Sequence, residues 1–329
     1  MEETKGDKEK PLTFADLGIE TVKNTEETCF GKVRSPASLT KIEKAFLILC
    51  SLSLVAVIII TIIKMADIPK DDADFTFALL LLINSCITLY YLFSGVFFER
   101  PYELIILVIS TFIVWIYLVL NYSISVKNDL KLGRLITASV LGPVVLVLGV
   151  ILVKNYRDSK GLIFRTVGAN EEDQNMCNTL YIFLGFLKAD LQLSISLAVL
   201  VLNTGRLLNE EDKILLPVTT LIGIVTAVCG YLCVRFENKK IAVIYLAMWC
   251  LIPAYTIYLI YHAAKDLSDT SDDTQMEIGL YAVLFVTAAA SLVVKALSIM
   301  FGVRVYRNFG KGLKEKVYKT EDLTLTIST

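Results

Sequence analysis

Long apolar stretches are the feature that most constrains how this chain can fold. A helix needs about 20 consecutive, mostly apolar residues to cross the hydrocarbon core of a bilayer, and it satisfies its own backbone hydrogen bonds there. Eight stretches have this length and composition: residues 45–63, 75–98, 103–122, 135–153, 180–202, 214–234, 241–261 and 278–302. Only 20% of the residues are charged, against about a quarter in soluble domains. We therefore expect an all-α fold, a polytopic transmembrane helical bundle of about eight spans.

The basic residues between these spans indicate how the chain is oriented. Lys and Arg accumulate on the side that holds both termini, and basic loops are retained in the cytosol. Both termini are therefore expected to be cytosolic, in the plasma membrane by default and in an organelle membrane as the alternative. The expected parts are a largely disordered N-terminal tail (1–43), a first four-helix membrane unit (44–153), a cytosolic linker (154–179), a second four-helix membrane unit (180–302) and a basic C-terminal tail (303–329).

Similar segments recur in the two halves of the chain. Residues 156–162, which follow the fourth span, read YRDSKGL, and residues 306–313, which follow the eighth, read YRNFGKGL. The third and seventh spans each follow a Phe-Glu pair, at 98–99 and at 236–237. Because four spans return the chain to the side on which it started, this internal repeat predicts two four-helix units in parallel duplication.

A polar cluster interrupts the fifth span. Ionisable groups in the middle of a membrane cost about 2.5 to 3.5 kcal/mol each on insertion scales, and they usually face protein or water. Lys188 and Asp190 are two residues apart, so a helix places them on nearly opposite sides and they need partners on other helices. Helical spacing brings Gln192 within reach of Lys188, and Ser194 within reach of Asp190. Polar candidates on other spans are Asn84, Thr137, Ser139, Thr219 and Thr220.

This cluster has three interpretations. Lys188, Asp190, Gln192 and Asn84 can line a pathway for a substrate or an ion, or they can form a purely structural contact between helices. In the third interpretation the span begins near residue 189, residues 174–187 form an interfacial helix, and Lys188 extends to the cytosolic headgroups. The same extension is expected for Lys295 near the end of the eighth span, and Glu103 is expected to serve as a helix-start residue.

Several function classes lack the residues that they require. The net charge is −1, so nothing favours nucleic acid as a partner. The chain has one histidine, His262, and no P-loop or Gly-x-Ser-x-Gly motif. We therefore expect no enzyme activity, no cofactor and no metal site. Beyond the bilayer itself, the expected partner is anionic lipid of the inner leaflet, attracted by the basic C-terminal tail.

A block of about 28 residues resembles a known family. It comprises residues 164–169 (FRTVGA), Gln174, residues 181–184 (YIFL) and residues 187–191 (LKADL). The block is similar to a eukaryotic family of multi-span membrane proteins described only as a domain of unknown function, marked by a Phe-Lys/Arg-x-Val-Gly-Ala loop and a Lys-x-Asp-Leu helix. The resemblance implies that Lys188 and Asp190 belong to the design of the family, and it implies no activity.

Three functional hypotheses follow from these observations. The first is a transporter or channel-like protein whose pathway passes Lys188 and Asp190, which requires water to reach the fifth span. The second is a receptor or scaffold that binds a protein or lipid partner, with a dry and fully paired fifth span. An intramembrane enzyme ranks last.

Overall fold

The computed structural model describes residues 25–28, 31–69, 73–124, 129–167, 170–203, 210–269, 275–312 and 317. Within these ranges the chain is helical apart from one antiparallel hairpin, in which β1 (Thr25–Thr28) pairs with β2 (Gly31–Arg34). The α-helices are α1 (Lys41–Asp67), α2 (Ala73–Phe97), α3 (Pro101–Ile124), α4 (Asp129–Ser159), α5 (Gly161–Val167), α6 (Glu171–Asn203), α7 (Glu210–Phe236), α8 (Lys239–Asp269) and α9 (Gln275–Arg307). The sequence did not predict the hairpin.

Each of the eight expected spans coincides with its own long helix, and only the second extends beyond it, by one residue at position 98. Among the described residues, six helices are long and apolar enough to cross a membrane: α1, α2, α4, α6, α8 and α9. Shorter apolar stretches, Pro101–Ile116 and Thr220–Phe236, lie within α3 and α7. The helical fold and its suitability for a membrane therefore agree with the apolar pattern, whereas the number of eight spans stays a prediction.

The start of α1 is fixed by polar contacts that gather several chain segments. Thr40 and Glu43 form a capping box, in which each side chain accepts the backbone N–H of the other. Arg34, the last residue of β2, donates to Glu43 at 2.9 Å and pairs with Glu99 at 2.7 Å. The Tyr156 hydroxyl at the end of α4 donates to the same Glu43 carboxylate at 2.5 Å. We call these contacts the Arg34 cluster. They bring the start of α1, the α2–α3 turn and the end of α4 together at one end of the bundle, which we call the basic end.

The long helices form two groups with the same order of contacts. In the first group each of α1 to α4 packs against the next, and α4 closes back on α1. The helices α6 to α9 do the same, with α9 closing on α6. Each group has its own buried core, centred on Phe46 in the first and on Phe183 in the second. A third core joins the two groups, with Phe77 of α2 packed in it together with Leu200 and Leu284.

Helix α6 is the central element of the bundle. It packs against α7 and α9 of its own group, against α2 and α3 of the other group, and against α5. It runs without a break through residues 171–203, and Cys177, Leu180 and Phe183 are buried. Residues 174–187 are therefore continuous with the rest of α6 and pack against protein, and the level at which the membrane span begins along this helix stays a prediction.

Two glycines on α7 provide a matched test of this packing. A Cβ at Gly230 would lie 2.8 Å from Leu187 on α6 and 3.0 Å from Tyr245 on α8, whose hydroxyl is hydrogen-bonded to Ser298 at 3.0 Å. A Cβ at Gly223 would meet only Ser194, at an ordinary 3.6 Å. We expect Gly230→Ala to destabilise the fold, because overpacking costs about 1 to 3 kcal/mol and outweighs the better helix propensity of Ala, about 1 kcal/mol.

Thermal unfolding of the detergent-purified full chain measures this difference. Gly230→Ala should unfold at a lower temperature than the wild type, whereas Gly223→Ala should match or exceed it. Equal midpoints for the two variants would contradict the close approach of α6, α7 and α8.

Candidate functional site

One side of α6 carries a row of polar residues that faces the first helix group. Lys188, Gln192 and Ser196 are one helical turn apart and therefore share a face. The Lys188 ammonium donates to Glu103 on α3. Deeper along the helix, Gln192 donates to the Asn84 side-chain oxygen on α2 at 2.7 Å, and the Asn84 amide donates to Ser196 at 3.1 Å. These side chains link α6 to α2 and α3.

The opposite side of α6 carries a second row, which faces α9. Asp190 accepts a hydrogen bond from the Lys295 ammonium at 2.5 Å, and Ser194 lies 3.4 Å from the same nitrogen. The Trp249 indole on α8 donates to the backbone carbonyl of Lys295 at 3.1 Å. The two rows together form the polar ladder, whose members are Lys188, Asp190, Gln192, Ser194 and Ser196 on α6 with Asn84, Glu103 and Lys295 on its neighbours.

Helical spacing predicted the arrangement of α6 but only part of its surroundings. Lys188 and Asp190 do lie on opposite sides, and each finds its partner on another helix. Of the polar candidates on other spans, Asn84 joins the ladder, Ser139 is exposed and Thr220 is partly buried. The side chains of Thr137 and Thr219 lie outside the described residues.

The expectation that Lys295 reaches the headgroups is wrong. Helix α9 continues to Arg307, so Lys295 lies roughly 18 Å from its end at a rise of about 1.5 Å per residue. Its side chain is 2% exposed and is paired with Asp190. Glu103 does lie in the first turn of α3, as expected, but it also holds Lys188. The sequence does hold a signal for the pairs Lys188–Glu103 and Lys295–Asp190. A membrane disfavours any unpaired charge, so each charged residue within one span is expected to pair with an opposite charge on another span.

The two ion pairs differ in their electrostatic surroundings. Glu103 has two cations beside it, Lys188 and Arg100, the latter at 3.2 Å. Lys188 keeps 26% of its side chain exposed and lies 5.3 Å from the Tyr90 ring. Burial lowers the pKa of Arg100, but the Glu103 carboxylate raises that pKa by more, so Arg100 stays charged. Asp190 has Lys295 alone as its described cation, and both side chains are nearly enclosed.

A cavity of about 370 Å³ lies at the basic end, beside the first step of the polar ladder. It is enclosed by the α2–α3 turn, the start of α3, the end of α4, α5 and the first half of α6. Glu103 belongs to both the cavity wall and the ladder. The lining residues are Glu99, Arg100, Pro101, Tyr102, Glu103, Tyr156, Arg157, Lys160, Leu162, Ile163, Asn178, Tyr181, Ile182, Leu184 and Gly185.

No metal centre is built by the part of the chain that the structure describes. In that part, no three His, Cys, Asp or Glu side chains lie close enough together to hold a metal ion. The chemistry offered by this region is therefore that of paired charges, amides, hydroxyls and a partly basic cavity.

The two lysines of the ladder allow a test of how strongly each pair holds the bundle. Lys295→Met leaves the buried Asp190 carboxylate without a cation, and breaking a buried pair costs about 3 to 5 kcal/mol. The double variant Lys295→Met/Asp190→Asn removes both charges and should recover most of that loss. Lys188→Met should cost less than Lys295→Met, because Arg100 still neutralises Glu103.

Thermal unfolding of the purified full chain and of these variants gives the ranking. The expected order of stability places Lys295→Met below both the double variant and Lys188→Met. If the double variant were no more stable than Lys295→Met, the loss would come from packing and not from an unpaired charge.

The comparisons with known proteins identify the family but not an activity. The comparisons with curated proteins and with solved structures found no match. The sequence model of one family, described as a domain of unknown function (DUF7789), matches residues 30–154 and 167–304. These ranges contain nearly all of the two helix groups and every member of the polar ladder. The match covers most of the chain, and the protein therefore belongs to the DUF7789 family.

Proposed function

We propose that this protein is a multi-pass membrane protein with eight spans that moves a polar or ionic solute along α6. The observation that carries the proposal is the polar ladder, which runs along α6 between the two helix groups and begins at a cavity. Buried ionisable groups in a membrane protein usually mark a pathway or a binding site. In transporters built from repeats, the substrate site lies at the interface between the repeats.

The proposed topology places the basic end of the bundle in the cytosol. Arg34, Arg100, Arg157 and Lys160 all lie at this end, and basic segments are retained on the cytosolic side. The start of α1 and the end of α4 meet in the Arg34 cluster, so α1 to α4 form an even number of crossings. Both termini are then cytosolic. The plasma membrane remains our proposed location.

The proposed parallel duplication is supported by turns that have the same form in both groups. Glu99 ends the α2 segment with φ 52° and Glu237 ends the α7 segment with φ 48°, a conformation uncommon outside glycine. Each of these glutamates also lies against the chain that leaves the fourth helix of its group. Glu237 accepts the backbone N–H of Gly310 at 3.0 Å, and a Cβ on Gly161 would lie 3.3 Å from the Glu99 carboxylate.

A receptor or scaffold is the second candidate, and the completeness of the ion pairs favours it. Lys188 and Asp190 each have an opposite charge in contact, so neither requires a substrate to neutralise it. In this case the ladder fixes the relative position of the two helix groups, and the activity lies in binding. A partner of the C-terminal tail would be anionic lipid, attracted by Arg304, Arg307 and Lys311. We propose no enzyme activity for either candidate.

Thiol labelling distinguishes the two candidates. In a cysteine-free full chain, Ser194→Cys places a thiol halfway along the ladder without removing a charged residue. Val228→Cys on α7 is a matched control, because this exposed apolar position is expected to face lipid. Lys160→Cys and Lys265→Cys report the two sides of the membrane. A small, charged, membrane-impermeant thiol reagent is then added to intact and to opened cells.

A transport pathway predicts that Ser194→Cys is labelled much faster than Val228→Cys. Lys160→Cys should react only in opened cells and Lys265→Cys in intact cells, which would support the proposed topology. If Ser194→Cys stays as unreactive as Val228→Cys while the two side markers react, water does not reach the ladder. The transport proposal then fails and the binding protein remains.

A further inference from the structure

We infer that the cavity at the basic end binds the terminal phosphate group, a phosphate monoester, of a small amphipathic ligand. The cavity is formed where the first helix group, the short helix α5 and α6 meet. Its position differs from that of the C-terminal tail, the other candidate contact with anionic lipid. The inference deepens the proposed function by naming the chemical class of the ligand. It rests on that function in one respect, because it treats the cavity as the entrance to the polar ladder.

The charges in the cavity wall leave an excess of positive charge. Three cations, Arg100, Arg157 and Lys160, line it together with two carboxylates, Glu99 and Glu103. Each carboxylate is already paired with a cation that is not in the wall, Glu99 with Arg34 and Glu103 with Lys188. In the described ranges, Arg157 and Lys160 have no carboxylate within ion-pair distance. Both are exposed and free to turn towards an anion.

The start of α3 adds hydrogen-bond donors to the same wall. Pro101 begins this helix but has no N–H, so the first donors of the helix are the backbone N–H groups of Tyr102 and Glu103, which also line the cavity. The first N–H groups of an α-helix have no partner within the helix, and the positive end of its dipole attracts anions. The Arg100 side chain lines the same wall and donates to Glu103 through one of its terminal nitrogens at 3.2 Å. A guanidinium beside a helix start matches the several oxygens of a phosphate group.

The size and the remaining lining indicate more than a bare phosphate ion. About 370 Å³ is within the range of small-molecule sites, roughly 300 to 1,000 Å³. Leu162, Ile163, Ile182 and Leu184 make part of the wall apolar. A phosphate attached to an organic group that fits beside the apolar part of the wall satisfies both kinds of lining. Such a group occurs on a phospholipid and on a soluble organic phosphate.

Native mass spectrometry of the detergent-purified full chain tests this inference. The probes are phosphatidic acid, phosphatidylcholine and glycerol 3-phosphate. The test variant is Arg157→Gln/Lys160→Gln, and the matched control is Lys239→Gln/Lys240→Gln, which removes the same net charge from the start of α8. All four residues are exposed, so both variants should unfold at the wild-type temperature.

The wild type and the control should bind phosphatidic acid in preference to phosphatidylcholine. The cavity variant should bind it at least about tenfold more weakly, because it loses two charged hydrogen-bond donors to the phosphate. Competition by glycerol 3-phosphate would identify a soluble phosphate as the ligand, and its failure to compete would identify the lipid. Both results support the phosphate site.

Equal weakening in the cavity variant and in the control would overturn the inference, since it would show a general attraction to basic residues. Equal binding of the two lipids by the wild type would overturn it as well.

Phosphate binding without labelling of Ser194→Cys would keep this site and reject transport. Labelling of Ser194→Cys without phosphate binding would support transport and reject this site. The inference concerns this chain in particular, because Arg157 and Lys160 lie between the two segments that the family model matches.

Discussion

The requirement that buried charges on α6 be neutralised governs how the helices of this protein are arranged. An ionised group without a partner is costly in hydrocarbon, and two residues on opposite sides of one helix cannot neutralise each other. Lys188 therefore needs a carboxylate on one side of α6 and Asp190 needs a cation on the other. Helices α3 and α9 supply them, and α6 is held between the two helix groups.

This arrangement also fixes the register of the helices along the membrane normal. Apolar side chains in lipid give little preference for one vertical offset over another, because lipid tails are as apolar as the side chains. A direct ion pair does discriminate, since a shift by one turn, about 5.4 Å, would separate the charges. Glu103 in the first turn of α3 sets the level of Lys188, and Asn84 repeats the constraint against Gln192 deeper in the bundle.

Properties that depend on a single segment were predictable from the sequence, whereas partners were not. The apolar runs predicted each long helix, and helical spacing predicted the opposed rows on α6. The identity of the partners depends on which helices pack on α6, and no local pattern contains that information. Lys295 shows the difference: the end predicted for its span, residue 302, placed it near the headgroups, but α9 continues to Arg307 and places the ammonium against Asp190.

The cavity results from the pairing of Lys188 with Glu103 and from the turn after α4, which the sequence did not predict. Lys188 draws the start of α3 against α6, so the first helix group approaches α6 at its basic end. The chain then leaves α4 through Lys160, in a left-handed conformation, and Leu162 and Ile163 of α5 form part of the cavity wall. A pairing that stabilises the bundle thus leaves a basic recess beside its own carboxylate. Any anion bound there would act on Glu103 and Arg100, and through them on the contact that joins the two groups.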